Sequence, residues 1–376
     1  MKHNRVQFYL LWLLGGGLLV SCTAGTVEEI VPEESRPVTL SFGRPDLGVP
    51  VVLTRTGETA TPDPVPLPEG TTVRIGAYFT GDVGDKPATA SFSTTAPSFE
   101  ATYAVGADGV LYPCRVDDEG NRIEGEATEL TVRGGRYDFY AVSPARRLEK
   151  GQDDYYRITG VPHKEDVMVS FVRDVAVTKA SRRVTLGTFN RKCALVVFHV
   201  VPSEGNALSF NRLCGTRLEL KKISSTAANL VVGEDTGFSQ TGGEAGEGTQ
   251  ILFNEDEFDS VEQNSDPDNI GLNKTKGIIL PKNNRPFDVE ITVERDNEPA
   301  ILKATINENI AFEEGKRYIF TLEVTNEKSR LVMRVMNWNT IYFTDNTVGA
   351  PDIAYPDPDI NQGIGTPVTI AEWAEI

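Results

Sequence analysis

Histidine is scarce in this chain of 376 residues: there are three, and only His163 and His199 lie beyond residue 22. Cysteine is nearly as rare, with Cys22, Cys114, Cys193 and Cys214 spaced too widely and too unevenly for a zinc site. No strand-to-helix nucleophile elbow accompanies the serines, so Ser/His/Asp chemistry has nothing to stand on. His199 lies inside CALVVFHVV and reads as a core or sheet-face residue. The acidic pairs Asp153-Asp154, Asp266-Pro267-Asp268 and Asp357-Pro358-Asp359 lack the ligand spacing of a calcium loop and read as solvated turns. Asn273-Lys274-Thr275 fits a glycosylation sequon, a three-residue pattern of little weight by itself. Basic excess is missing too: net charge is -17, and the part beyond Arg55 carries 32 basic against 49 acidic residues. That balance excludes nucleic acid and anionic membrane surfaces as natural partners. The residues therefore predict no catalytic group, no metal and no cofactor; this is not an enzyme sequence.

Long amphipathic helices are also lacking. What fills the chain instead is short Val-rich runs separated by turn clusters, with 34 glycines and 22 prolines. This is the pattern of an all-β chain of sandwich type. Strands are expected at Thr71–Phe79, Leu111–Arg115, Ala127–Arg133, Gly135–Val142, Val169–Val177, Val184–Val201, Thr216–Ile223, Lys276–Leu280, Phe287–Val293, Ala300–Ile306, Glu314–Val324 and Leu331–Met336. Residues 85–110 read as a decorated loop or short edge strands, and 232–275 as loops. Gly135-Arg136-Tyr137-Asp138-Phe139 and Gly315-Lys316-Arg317-Tyr318-Ile319-Phe320 share one pattern: glycine, basic residues, tyrosine, then phenylalanine two positions on. Two units of one kind explain that repeat most simply. The basic break Lys179–Arg183 is the expected boundary between them.

The two ends of the chain differ from its body. Lys2 and Arg5 precede a short apolar run that stops at Leu19-Val20-Ser21-Cys22, the form of a lipoprotein signal in which the cysteine thiol takes the lipid. An acidic leash with Glu28, Glu29, Glu33 and Glu34 follows. In Arg36–Arg55, Val38, Leu40 and Phe42 alternate with polar or small residues, as in a half-buried strand. Arg36 and Arg44 each precede proline, which trypsin-like proteases reject, whereas Arg55 precedes Thr56. The stretch thus reads as a removable strand with one basic cleavage point, Arg55-Thr56. At the other end, an acidic, proline-rich linker over 345–365 leads to Thr366–Ile376. There Val368, Ile370 and Ile376 fall on one face and Trp373 on the other. This reads as a strand free to pair elsewhere.

If the runs holding Cys193 and Cys214 form a hairpin centred near Glu204, Cys214 falls opposite residue 194 and the thiols point to opposite faces. A one-residue slip would join them; free, buried thiols are the favoured expectation.

With these residues in view, the chain resembles the fimbrillin family, subunits of the type V fimbriae (pili) of anaerobic gut and oral bacteria. The resemblance rests on Cys22, the Arg55 junction and GRYDFYAVSP at 135–144. It rests also on EDVM at 165–168, FNRKCALVVFHV at 189–200, GKRYIFTLEV at 315–324 and the tryptophan-bearing last strand. It implies two tandem transthyretin-like, Greek-key β-sandwich domains and a C-terminal donor-strand extension. It also implies an Arg-specific protease that removes the lipidated first strand at the position matching Arg55. The expected organisation is 1–21 signal, 22–55 leash and removable strand, 56–178 and 179–344 sandwiches, and 345–376 linker and donor strand. The function so implied is that of a fimbrial stalk subunit, anchored to the outer membrane through Cys22 before processing. Its partners would be other fimbrial subunits, the protease and a host receptor. Two alternatives stay open: a tip adhesin that accepts a strand but donates none, and a permanently anchored surface lipoprotein binding glycan or host protein.

Overall fold

The computed structural model describes residues 36–53, 63–202, 213–223, 227–240, 250–258, 273–281, 286–306, 310–324, 329–338, 340–342 and 368–375. In chain order the strands begin with β1 (Pro37–Thr39), β2 (Ser41–Phe42), β3 (Val51–Leu53), β4 (Thr72–Gly81), β5 (Phe99–Val105) and β6 (Leu111–Pro113). There follow β7 (Arg115–Val116), β8 (Arg122–Ile123), β9 (Thr131–Arg133), β10 (Gly135–Ser143), β11 (Glu149–Lys150), β12 (Tyr156–Pro162) and β13 (Met168–Val177). Then come β14 (Arg183–Val184), β15 (Asn190–Arg191), β16 (Ala194–Pro202), β17 (Leu213–Lys221), β18 (Ala227–Val231), β19 (Phe238–Gln240) and β20 (Gln250–Phe253). The last are β21 (Asn273–Ile279), β22 (Phe287–Arg295), β23 (Glu298–Ile306), β24 (Lys316–Val324), β25 (Ser329–Asn337), β26 (Thr340–Tyr342) and β27 (Val368–Glu375). The chain is all-β, as the composition predicts; one 3-10 turn, Glu255–Glu257, is the helical element among the described residues.

The N-terminal part is built on a six-stranded sheet in the order β15-β13-β10-β4-β5-β6. Its middle strand β10 shows why the aromatic alternation was informative. Tyr137, Phe139 and Ala141 pack into one buried cluster, while Tyr140 and Val142 pack into another. A sheet covered on both faces demands apolar residues at odd and even positions alike. One cover is a short layer carrying Leu130, Val132, Val184 and the first segment of the chain. The other is a four-stranded sheet, β11-β12-β18-β19, with Ile158, Val161, Ala228 and Leu230 facing Tyr78 and Tyr140. Asp138 is the one acidic residue of β10, fully buried, and it accepts the N–H groups of Ala90 and Asp174 at 2.8 Å each and Arg173 Nη1 at 2.5 Å. Arg173 also stacks on Phe92 and bonds Glu234 at 2.6 Å, so one guanidinium ties β13 to the segment after β18.

The C-terminal part is a nine-stranded sheet in the order β20-β17-β22-β23-β27-β25-β24-β16-β21, folded around a single cluster that includes Phe198, Phe253, Phe287, Phe312 and Phe320. β24 holds the same inner place here as β10 does in the first sheet, with Tyr318 and Phe320 buried. Phe198 and Phe320 stack at 4.6 Å across the parallel β16–β24 pair. The far edges β20 and β21 are closed by Phe253, which lies where a Cβ on Gly277 would stand, at 2.1 Å.

Several expectations change on contact with the fold. β16 is held by β21 and β24, and β17 by β20 and β22, so no hairpin joins them. Both edges of β16 are taken by other strands, which leaves none for β17. Cys114, Cys193 and Cys214 are all buried, and no disulfide joins Cys193 to Cys214. Residues 99–105 form an inner strand, not a decorated loop. The 232–275 stretch holds β19, β20 and the start of β21, whose polar-rich sequences hide short strands. Because β12 pairs with β18, strand pairing crosses residue 179. His199 is buried in β16. Asp153 bonds Arg157, and Asp154 pairs with Lys150 at 2.8 Å, which gives that acidic turn its role.

Candidate strand-exchange site

The first segment runs as the middle of the short covering layer. On one side β1 pairs antiparallel with β9, Val38 opposite Val132. On the other β2 pairs parallel with β14, Phe42 opposite Val184. Leu40 N–H donates to Leu130 O at 2.9 Å, Ser41 N–H to Arg182 O at 3.1 Å and Gly43 N–H to Val184 O at 2.9 Å. Val38, Leu40 and Phe42 are 5, 4 and 4 % exposed, so the predicted inward face is inward. Phe42 meets Tyr103 at 5.1 Å and Phe139 at 6.3 Å, both edge to face. Tyr103 braces the floor: Leu130 N–H donates to its hydroxyl at 2.8 Å, and burial pushes that hydroxyl up to about 12. Leu47 adds a fourth buried side chain. Four such side chains contribute on the order of 6–12 kcal/mol by area burial, an upper figure, since unfolded chains already hide part of this surface. That is the scale of a whole domain's stability.

Further along, the segment turns and changes partners. Gly48 has φ +80°, a left-handed conformation that glycine takes without a Cβ penalty, and its N–H bonds Asp46 Oδ1 at 2.8 Å. Phe189 N–H reaches Asp46 O at 2.8 Å. Val49, 53 % exposed, forms one wall of a cleft of about 420 Å³ with Phe171, Phe189, Arg191, Lys192 and Trp338. The charges of that cleft are matched: Lys192 to Glu314 at 3.1 Å, and Arg191 to Asp166 at 2.8 Å while lying over the Trp338 ring. β3 then pairs parallel with β26, Val52 opposite Ile341. Among the described residues β3 is the only strand partner of β26. The segment upstream of residue 55 therefore touches both halves of the fold.

The last strand is not free. β27 lies against β25, with Val368 opposite Met333, Thr369 opposite Val332 and Trp373 opposite Ser329. It continues onto β23, with Ala374 opposite Lys303 and Glu375 opposite Leu302. Ile370 falls at a register shift between Leu331 and Val332, so the strict alternation assumed for Val368, Ile370 and Ile376 does not run through it. The strand that looked free in the sequence is thus paired within its own chain, the arrangement expected of the anchored-lipoprotein alternative. The edges of β23 and β25 need a partner, and β27 is the strand at hand. Cys22, Arg55, Thr56, Ile376 and the 345–365 linker lie outside the described residues.

The fimbrillin-like family model matches residues 37–347, and the chain belongs to that family. Its fold is similar to a candidate cell adhesion protein from Bacteroides fragilis, 18 % identical with a TM-score of 0.52, covering 83 % of this chain and all of that one. A candidate cell adhesion protein from Bacteroides uniformis follows at 17 % identity and a TM-score of 0.48, covering 80 % of this chain and 98 % of that one. The C-terminally truncated tip fimbrial protein Mfa3 from Porphyromonas gingivalis stands at 7 % and 0.36, covering 72 % and 95 %. The backbones of the last two diverge further from that of this chain. No curated protein matches this chain.

Proposed function

We propose that this chain is the precursor of a structural fimbrial subunit, exported as a lipoprotein on Cys22 and armed by Arg-specific cleavage between Arg55 and Thr56. The observation that carries the reading is the first segment itself. It is the middle strand of a covering layer, it buries Val38, Leu40 and Phe42, and it ends just upstream of the one arginine in the segment not followed by proline. Removing it leaves an apolar slot over Tyr103 and Phe139, with unpaired backbone along 130–133 and 182–184. That state is costly until a strand refills it. A strand of another subunit refills it by β-augmentation. Such head-to-tail insertion does not close on itself and yields a filament. The C-terminal strand, Val368–Ile376 with Trp373, is the donor in this scheme, and it must first leave β23 and β25.

That last requirement favours a second reading. A subunit whose tail stays on its own C-terminal half accepts a strand and donates none, as a terminal subunit or an anchored surface adhesin would. One experiment separates the two. The lipid-free precursor from Thr23 is treated with an Arg-specific protease and followed by mass spectrometry and unheated gel electrophoresis. A cut after Arg55 followed by a ladder, lost on deleting 366–376, establishes the stalk subunit. A cut without a ladder assigns the terminal role. A folded chain that resists cutting at Arg55 sinks the exchange scheme.

A further inference from the structure

The seam between β23 and β25 is a strand slot in its own right. Without β27 the nine-stranded sheet separates into β20-β17-β22-β23 and β25-β24-β16-β21, because β27 alone joins them among the described residues. Both lips are well formed. Leu302 on β23 and Leu331 on β25 are buried members of the same core cluster, and Met333 packs against it. The occupant is a short strand at the chain end, connected to β26 by the 25 residues from 343 to 367. A stretch of that length reaches at most about 80–90 Å, far more than a local turn needs. Nothing in the register of β27 depends on which copy supplies it: each backbone pair with β23 and β25 forms equally well in trans.

We infer that the β23–β25 seam accepts the C-terminal strand of a second copy of this chain, so that uncut precursors can join through their C-terminal halves. This does not rest on cleavage at Arg55 or on the slot under Phe42. The cis arrangement competes through an effective concentration of about millimolar order for a tethered strand. Exchange is therefore favoured where copies are crowded, as on a shared membrane, or where β26 is loosened. A reciprocal exchange closes a two-fold dimer, and a one-way exchange propagates.

The test uses uncut protein, in which the first segment still fills its own slot. A chain ending at residue 365 is titrated with a synthetic peptide of residues 366–376. Saturable one-to-one binding to the uncut, truncated chain supports the inference. Binding that appears only after cleavage at Arg55 overturns it and leaves the exchange scheme above standing. Because the truncated chain can fail to fold, a second arm keeps the tail in place. Lys303 and Ala374 are opposite residues, and such positions stand about 4.5–5.5 Å apart, within disulfide reach. Lys303→Cys and Ala374→Cys chains are mixed at high concentration under mild oxidation, beside a double variant in one chain. A dimer joined 303-to-374 in the mixture supports the inference. Closure of the double variant within one chain, with no such dimer in the mixture, overturns it.

Discussion

Two strand slots in this molecule are filled by opposite ends of the same chain, and they are filled differently. The N-terminal slot, between β9 and β14, holds a contiguous segment that supplies at least Val38, Leu40, Phe42 and Leu47 to the core. The C-terminal slot, between β23 and β25, holds a strand split between two partners and interrupted by a register shift at Ile370. The first occupant precedes Arg55, so under the proposed scheme one peptide-bond cleavage would make its departure irreversible. The second stays tethered wherever it goes. In the proposed scheme the first occupant would be removed by cutting and the second exchanged without it, a division of labour suited to assembly: the first would control when, the second where.

The largest expected effect lies in the N-terminal slot. Phe42→Ala removes a ring packed on Tyr103 and Phe139, and should cost about 3–5 kcal/mol in urea melts of the uncut chain. It should also speed loss of the first segment after cleavage. An effect below 1 kcal/mol would mean that the ring is not seated in that core. Leu331→Ala, at the lip of the C-terminal slot, should cost about 2–5 kcal/mol and raise exchange of β27 amides more than those of β1. Equal loosening of the two strands would erase the contrast drawn here. Gly277→Ala places a methyl against Phe253 and should destabilise by about 1–3 kcal/mol, opening the β20–β21 edge while leaving both slots filled.

The smallest effect tests the floor of the first slot. Tyr103→Phe leaves Leu130 N–H without its acceptor, worth about 1–2 kcal/mol. Burial raises the Tyr103 hydroxyl from 10 to about 12. Its contribution is therefore complete below pH 10 and is lost as pH rises towards 12. Tyr318, pushed up to about 12 in the C-terminal core, behaves alike, so alkaline titration should loosen both halves. The Tyr103→Phe chain should lose pH sensitivity only in the exchange of residues 130–133.

Much of the first slot was legible in the sequence. Period-two alternation at Val38, Leu40 and Phe42 reports one buried face, and the alternate aromatics of β10 report an inner strand. The repeat of that pattern in β24 located the second sheet. What was hidden is non-local. Nothing in Val368–Ile376 tells which edge it pairs with, because an alternating strand fits its own sheet and a neighbour's equally. Short strands such as β19 are set by a partner edge, not by their own residues, and so read as loop. The absent β16–β17 hairpin has the same origin: β16 finds both partners, β21 and β24, far away in sequence. The Arg173–Asp138 pair could be anticipated only as a carboxylate set between aromatic residues of an inner strand, since its partner lies 35 residues on.

The measurement that bears most directly on the account is amide hydrogen exchange at residues 130–133 and 182–184, followed through cleavage and assembly. These segments form the two lips of the N-terminal slot. The account predicts slow exchange in the uncut chain, fast exchange once residues up to Arg55 are cut away, and slow exchange again in the assembled fibre. Protection that is unchanged by cleavage and release of the segment would contradict it, because the lips would then owe nothing to the strand between them.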